Sequence, residues 1–144
     1  LPGAVLFACN FNRVRSPMAE ALLKRALGDR VYVDSCGLKR EVGDVCEGAD
    51  PFVRSVMAEI SCDLEGHAPK TFDDLEDASF DLVISLTPEA QHRAVELTRG
   101  RSAEIEYWPT FDPTLADGSR EARMAAYREV RDTLAQRIAE RFPR

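Results

Sequence analysis

The chain has 144 residues, 44% of them hydrophobic and 31% charged, a globular balance at a length that suits one domain with its own core. Its 19 Lys and Arg are outnumbered by 25 Asp and Glu, for a formal net charge of −6. With no dense basic block, nucleic-acid binding is not expected. No apolar run reaches the ~18–20 residues of a bilayer span, and the opening Leu1-Pro2-Gly3-Ala4 lacks the basic start of a secretory signal.

Val5-Leu6-Phe7-Ala8 is a short apolar run that predicts a buried strand, with a polar loop from Cys9 to Ser16 after it. Pro17 suits the first position of a helix capped by Ser16. Met18, Ala21, Leu22, Arg25 and Ala26 then recur at helical spacing until Gly28. Val31-Tyr32-Val33 predicts a second strand ending in Asp34-Ser35-Cys36-Gly37, and Pro51 to Ile60 a helix with Phe52, Val56 and Ile60 on one face. Phe80 to Leu86 is nearly all apolar, as a strand covered on both faces should be, and a helix from Pro88 to about Thr98 follows. Ile105 to Trp108 reads as a fourth strand. The last helix, about Ser119 to Phe142, spaces Ala122, Ala126, Val130, Leu134, Ile138 and Phe142 by four, a stripe expected to face the sheet.

Strands alternating with helices predict an α/β fold: a single three-layer domain over residues 1–144, with a four-stranded parallel sheet and helices on both faces. Ligands of such sheets bind beyond the carboxyl ends of the strands. That rule places Cys9, Ser35, Thr87 and Asp112 at one edge.

Cys9-Asn10-Phe11-Asn12-Arg13-Val14-Arg15-Ser16 carries the chemistry. Consecutive amides on a short loop that opens onto a helix N-terminus make an anion cradle. Arg15 adds a planar fork that matches two phosphate oxygens. A positive field of this kind favours a thiolate, and a thiolate at the floor of a phosphate-shaped cup is placed for in-line attack on phosphorus. Ser16 is placed to hydrogen-bond the sulfur. The four cysteines, Cys9, Cys36, Cys46 and Cys62, form no CxxC pair, and only His67 and His92 could add imidazole. No metal and no cofactor is therefore expected, and reduced thiols in a cytoplasmic protein are.

The run Cys-x5-Arg-Ser-Pro, continuing into Met18-Ala19-Glu20-Ala21, resembles the active-site loop of low-molecular-weight protein tyrosine phosphatases, a superfamily that includes thioredoxin-linked arsenate reductases. The resemblance extends to Val33-Asp34-Ser35, to Gly66-His67-Ala68-Pro69-Lys70, to Phe80-Asp81-Leu82-Val83-Ile84 and to Asp112-Pro113. It implies that Cys9 is a nucleophile forming a phosphocysteine, that Arg15 and the loop residues 10–16 bind phosphate, and that Asp112 is the general acid. It also implies that Ser35 and His67 support Asn12, alongside Ser16. The implied partner is a phosphate-bearing substrate, a phosphoprotein or a small phosphoester, acted on by a monomer or weak homodimer without nucleic acid or membrane.

Several positions depart from that pattern. Phe11 stands where the family usually has Gly, and Val14 replaces a second loop Cys that protects the nucleophile as a disulfide. Thr114-Leu115 and Leu38-Lys39-Arg40 stand where phosphotyrosine enzymes carry pocket aromatics, leaving Phe11, with Trp108 or Phe111, to supply walls. The cysteines through which thioredoxin-linked reductases relay oxidation have no counterpart between Ser85 and Leu97. The leading expectation is a phosphomonoester hydrolase for protein tyrosine or aryl phosphates. The alternatives are an arsenate reductase using an external thiol such as glutathione or mycothiol, and a non-catalytic phosphate-binding module.

Overall fold

The computed structural model describes residues 1–43, 47–75 and 79–143; Cys46 lies outside the described residues. Strand β1 (Ala4–Cys9) leads into α1 (Arg15–Leu27) and β2 (Tyr32–Gly37). Helix α2 (Pro51–Ala58), β3 (Leu82–Ser85), α3 (Pro88–Thr98), β4 (Glu104–Tyr107) and α4 (Arg120–Arg141) complete the fold. The strands pair in parallel in the order β2-β1-β3-β4.

Side chains alternate across β1, and the alternation builds two cores. Val5, Phe7 and Cys9 face a core shared with Met18, Leu23, Val53, Val56, Tyr127, Leu134 and Ile138 of α1, α2 and α4. Leu6 and Ala8 face a smaller core with Val83, Phe80, Ala90 and Ala94, covered by α3. The chain runs from β1 outward to β2 on one side and later to β3 on the other, so the winding reverses beside β1. Cys9 is the last residue of β1, at the crevice where open α/β sheets bind ligands.

Strand positions, and α3 from Pro88 to Thr98, agree with the sequence reading; the structure adds Thr87 as the helix's N-cap. Three details differ. Helix α1 begins at Arg15 after Val14, with no side-chain cap bond, so Ser16 lies inside the helix and its hydroxyl is spent on Cys9 instead. Helix α2 ends at Ala58 and buries Val53, Val56 and Met57, leaving Phe52 and Ile60 half-buried. On α4 the four-residue stripe does not stay on one face: Ala122 is exposed, and the buried residues include Met124, Tyr127, Arg131, Leu134 and Ile138. Each step of four overshoots a full turn by ~40° at 3.6 residues per turn, so a buried face needs alternating steps of three and four. That face packs chiefly on α1 and α2 rather than on the sheet.

Among the described residues no helix is long and apolar enough to cross a membrane. Removing the fully buried Leu134 side chain (Leu134→Ala) is expected to cost about 2–5 kcal/mol in urea unfolding. Ala122→Gln on the exposed side of the same helix should stay within about 0.5 kcal/mol of wild type.

Candidate active site

The loop after β1 is held by its carbonyls. Asn10 O accepts from the amides of Leu38 (2.8 Å) and Lys39 (3.2 Å), Arg13 O from the amide of Asp50 (3.0 Å), and Val14 O from that of Met18 (3.3 Å). Asn12 O is 2.8 Å from His67 Nε2; a carbonyl only accepts, so this nitrogen carries the proton. In a trans peptide the N–H points opposite to the C=O. Carbonyls drawn outward at residues 10, 12, 13 and 14 therefore turn the amides of Phe11, Arg13, Val14 and Arg15 the other way, into the loop. Inward amides opening at the first turn of α1 are the geometry that an anion cradle requires.

The turn passes through Asn12 at φ 58°, in the left-handed region that Asn tolerates. Its side chain is fully buried and saturated: Nδ2 donates to Ser16 Oγ (2.8 Å) and Ser35 Oγ (2.9 Å), and Oδ1 accepts from the amide of Lys70 (3.0 Å). These bonds fix the direction of the others. Ser35, with Asn12 donating to it, passes its own proton to Glu20 Oε1. Ser16 likewise keeps its proton for the acceptors it faces, Cys9 Sγ at 2.9 Å and Cys36 O at 3.3 Å. One proton thus serves two acceptors, and toward a Cys9 thiolate, which has no proton of its own, Ser16 can only donate.

Arg15 is 9% exposed and lies against the last loop before α4. Its Nη1 donates to Thr110 O at 3.1 Å, and Nη2 is 3.8 Å from Asp112 Oδ2. Nε is buried without a hydrogen-bond partner among the described residues. Nε and Nη2 are thus left as a two-pronged edge suited to two oxygens of one tetrahedral anion. Asp112 Oδ1 accepts from the amide (3.0 Å) and hydroxyl (2.7 Å) of Thr114, which leaves Oδ2 toward Arg15.

Around the mouth, Phe11 is half-buried with Lys39 Nζ 5.9 Å from its ring centroid, and Phe111 is 60% exposed between Thr110 and Asp112. Of the two candidate walls beside Phe11, Phe111 is the exposed one, and it lines a surface hollow with Ala126, Glu129 and Val130 of α4. Trp108 packs in the core, 6.0 Å from Phe7. Asn10 Oδ1 accepts from Thr87 Oγ1 at 2.8 Å, joining the loop to the start of α3. Arg13 points away from the cradle, donating to Gly48 O at 3.0 Å and pairing with Glu41. Ser35 lies within β2 rather than after it.

The described cysteines are free thiols. Cys36 is one residue out of step with Cys9 across the β1–β2 ladder, where Cys9 pairs with Gly37, so its side chain falls on the opposite face of the sheet. Burial pushes its thiol far above the usual range. Cys62 sits past α2, 3.7 Å from Arg25 Nη1. Among the described residues, no group of three or more His, Cys, Asp or Glu is gathered to hold a metal.

Three residues of the site escape sequence reasoning. A Cβ on Gly37 would lie 2.7 Å from Asn12 N and 2.8 Å from Asn10 O, so only glycine lets the loop backbone lie this close to β2. Its position at a strand end was the available signal. Thr110 acts through its carbonyl, which no side chain announces. Glu20 is legible only once the helix register is known.

Gly37→Ala is accordingly expected to weaken phosphate inhibition at least tenfold, read as Ki, because loop or strand must move by several tenths of an ångström. His67 supplies a pH test. Burial holds its imidazole below the ordinary value of 6.5, with the bond to Asn12 O opposing the shift. The unfolded chain then takes up this proton before the folded one does, so the His67 contribution is intact above pH 6.5 and is lost as pH falls below it. Denaturant titrations of wild type and His67→Gln should show a difference in stability that shrinks on acidification through that range.

A model of the family described as low molecular weight phosphotyrosine protein phosphatase matches residues 4–142. A protein named arsenate reductase from Halalkalibacterium halodurans is 31% identical over 134 residues, covering 93% of this chain and 91% of that protein. The low molecular weight protein-tyrosine-phosphatase Wzb of Escherichia coli K12 is 34% identical over 107 residues, covering 72% and 70%. Among solved structures, the Erwinia amylovora tyrosine phosphatase amsI shares the fold, with a TM-score of 0.75 at 24% identity over 100% of this chain and 95% of that one. An arsenate reductase in the phosphate binding state has a TM-score of 0.75 at 25% identity, over 95% and 94%. With the family model spanning nearly its whole length, the chain belongs to the low-molecular-weight phosphotyrosine protein phosphatase family, and it is a phosphatase enzyme.

Proposed function

We propose that this phosphatase hydrolyses aryl phosphomonoesters, protein phosphotyrosine among them, through a phosphocysteine on Cys9. The observation that carries this reading is the alignment at one cup of Cys9 Sγ, hydrogen-bonded by Ser16, with the free edge of Arg15 and with Asp112 Oδ2 beside it. Cys9 attacks phosphorus in line as the bond to the leaving oxygen breaks. The inward amides and Arg15 stabilise the equatorial oxygens of the trigonal-bipyramidal transition state. Asp112 Oδ2 hands a proton to the departing oxygen. Water then attacks the phosphocysteine, Asp112 takes its proton, and the P–S bond breaks to return a thiolate that receives the Ser16 hydrogen bond. Free thiols fit a protein of a reducing compartment such as the cytoplasm.

One observation favours a second substrate, arsenate: the arsenate reductase relative covers more of the chain than the Wzb relative does. Helix α3 starts three residues after Ser85 ends β3, and the stretch from Ser85 to Leu97 has no Cys. Reduction to arsenite would therefore draw its two electrons from Cys9 and an external thiol, leaving a mixed disulfide. Arsenite formed with glutathione or mycothiol supports this second activity; none at saturating arsenate ends it.

Cys9→Ser should abolish hydrolysis of p-nitrophenyl phosphate while phosphate still binds. Asp112→Ala should slow phenyl phosphate by about 10²-fold or more and p-nitrophenyl phosphate far less, because the nitrophenolate hardly needs protonation to leave. Equal slowing of both esters would remove Asp112 from the acid role.

A further inference from the structure

Helix α4 treats its arginines unequally. Arg128 and Arg131 pair with Glu59, Arg141 pairs with Glu106, and Arg137 lies over Trp108. Arg120 and Arg123 differ: both are exposed, and neither side chain forms an ion pair or hydrogen bond among the described residues. Both guanidiniums instead lie over one ring, Phe52, at 5.4 Å and 4.8 Å from its centroid. Stacking on an aromatic face holds an arginine in place while leaving its N–H edges open. Two cations on one ring also repel, a cost that an anion between them would relieve.

The ring is linked to the active site through its packing neighbours. Phe52 stacks on the buried Tyr127 at 5.1 Å and 20°, and Asp50 is close enough for its charge to act on the Tyr127 hydroxyl. The Asp50 amide donates to Arg13 O in the phosphate loop, and Asp112 is close enough for its charge to act on Tyr127. The paired arginines thus stand on the packing unit that borders both the cradle and Asp112, at the start of α4. A small phosphoester fills the cup and leaves them unused. A substrate that extends out of the cup and carries carboxylates engages both.

We propose that Arg120 and Arg123, stacked on Phe52, form a docking patch for an acidic segment beside the phosphorylated residue of a protein substrate, an inference that rests on the phosphatase reading of the site. The net charge of −6 adds direction, since an acidic segment is repelled by most of the surface and drawn to this spot.

The test is binding to Cys9→Ser of phosphotyrosine peptides flanked by Asp and Glu or by Ser and Gly, with and without Arg120→Gln/Arg123→Gln. In parallel, hydrolysis of p-nitrophenyl phosphate is measured on enzymes that keep Cys9. The acidic peptide should bind about five- to tenfold more tightly than the neutral one, the sum of two exposed charge contacts. That advantage should vanish in the double arginine variant and at high salt, while the double variant hydrolyses p-nitrophenyl phosphate within about twofold of wild type. Arg120→Glu/Arg123→Glu should move the preference to Lys-flanked peptides. Equal affinity for acidic and neutral peptides, or an acidic preference that survives the double variant, overturns the patch. An acidic preference that depends on both arginines, in a wild type that hydrolyses no aryl phosphate, leaves the patch standing and overturns the hydrolase reading instead.

Discussion

Asn12 turns the chain at φ 58° between the end of β1 and the start of α1, and its buried side-chain amide makes three hydrogen bonds, to Ser16, Ser35 and the backbone of Lys70. Most of the site depends on that residue. The left-handed turn lets carbonyls on either side of it bond outward, to Leu38, Lys39, His67 and Asp50, and their outward pull aims the amides inward. The two hydrogens of its Nδ2 occupy lone pairs of Ser16 and Ser35, so toward a Cys9 thiolate Ser16 can only donate. A buried amide of this kind is costly unless every bond is made. The surrounding donors and acceptors come from α1, β2 and the 67–70 segment, which ties loop geometry to the packing of the whole fold.

The parallel sheet supplies the place and the helices supply the field. Winding reverses beside β1, so the loop after Cys9 opens into a crevice that no crossover covers. Arg15, the first residue of α1, is anchored by a backbone carbonyl and leaves one edge of its guanidinium for an anion. Positive charge here comes from dipoles and one fixed cation, which cost no reorganisation during reaction. Asp112 is held by Thr114 through one oxygen and faces Arg15 with the other. The ion pair between Arg15 and Asp112 thereby sets the proposed acid beside the proposed anion site.

How much of this was legible in the residues follows from the range of each interaction. Apolar runs named the strands, and Pro88 marked the start of α3, because strand burial and proline's place in a first turn are local. The same local rules misplaced the start of α1, since Ser16 looks like a cap until its hydroxyl is seen beside Cys9. A stripe of fours on α4 looked continuous, although helix geometry carries Ala122 into solvent. Cys9, Arg15 and Asp112 stood out through motif and residue chemistry. Gly37, Thr110 and Glu20 did not, because each matters through a backbone atom, an absent Cβ or a register known only after folding. Trp108 and Phe111 are both aromatics ahead of Asp112, and the path of the chain after β4 alone decides that one fills the core and the other is exposed.

The central claim is that Cys9 carries the phosphoryl group during turnover. It is tested most directly by acid-quenching the enzyme while it hydrolyses an aryl phosphate and mapping the products by peptide mass spectrometry. The account predicts one phosphoryl group on the peptide containing Cys9, present during turnover and gone when substrate is exhausted. Turnover with no phosphorylated peptide, or with the group on another residue, would contradict it.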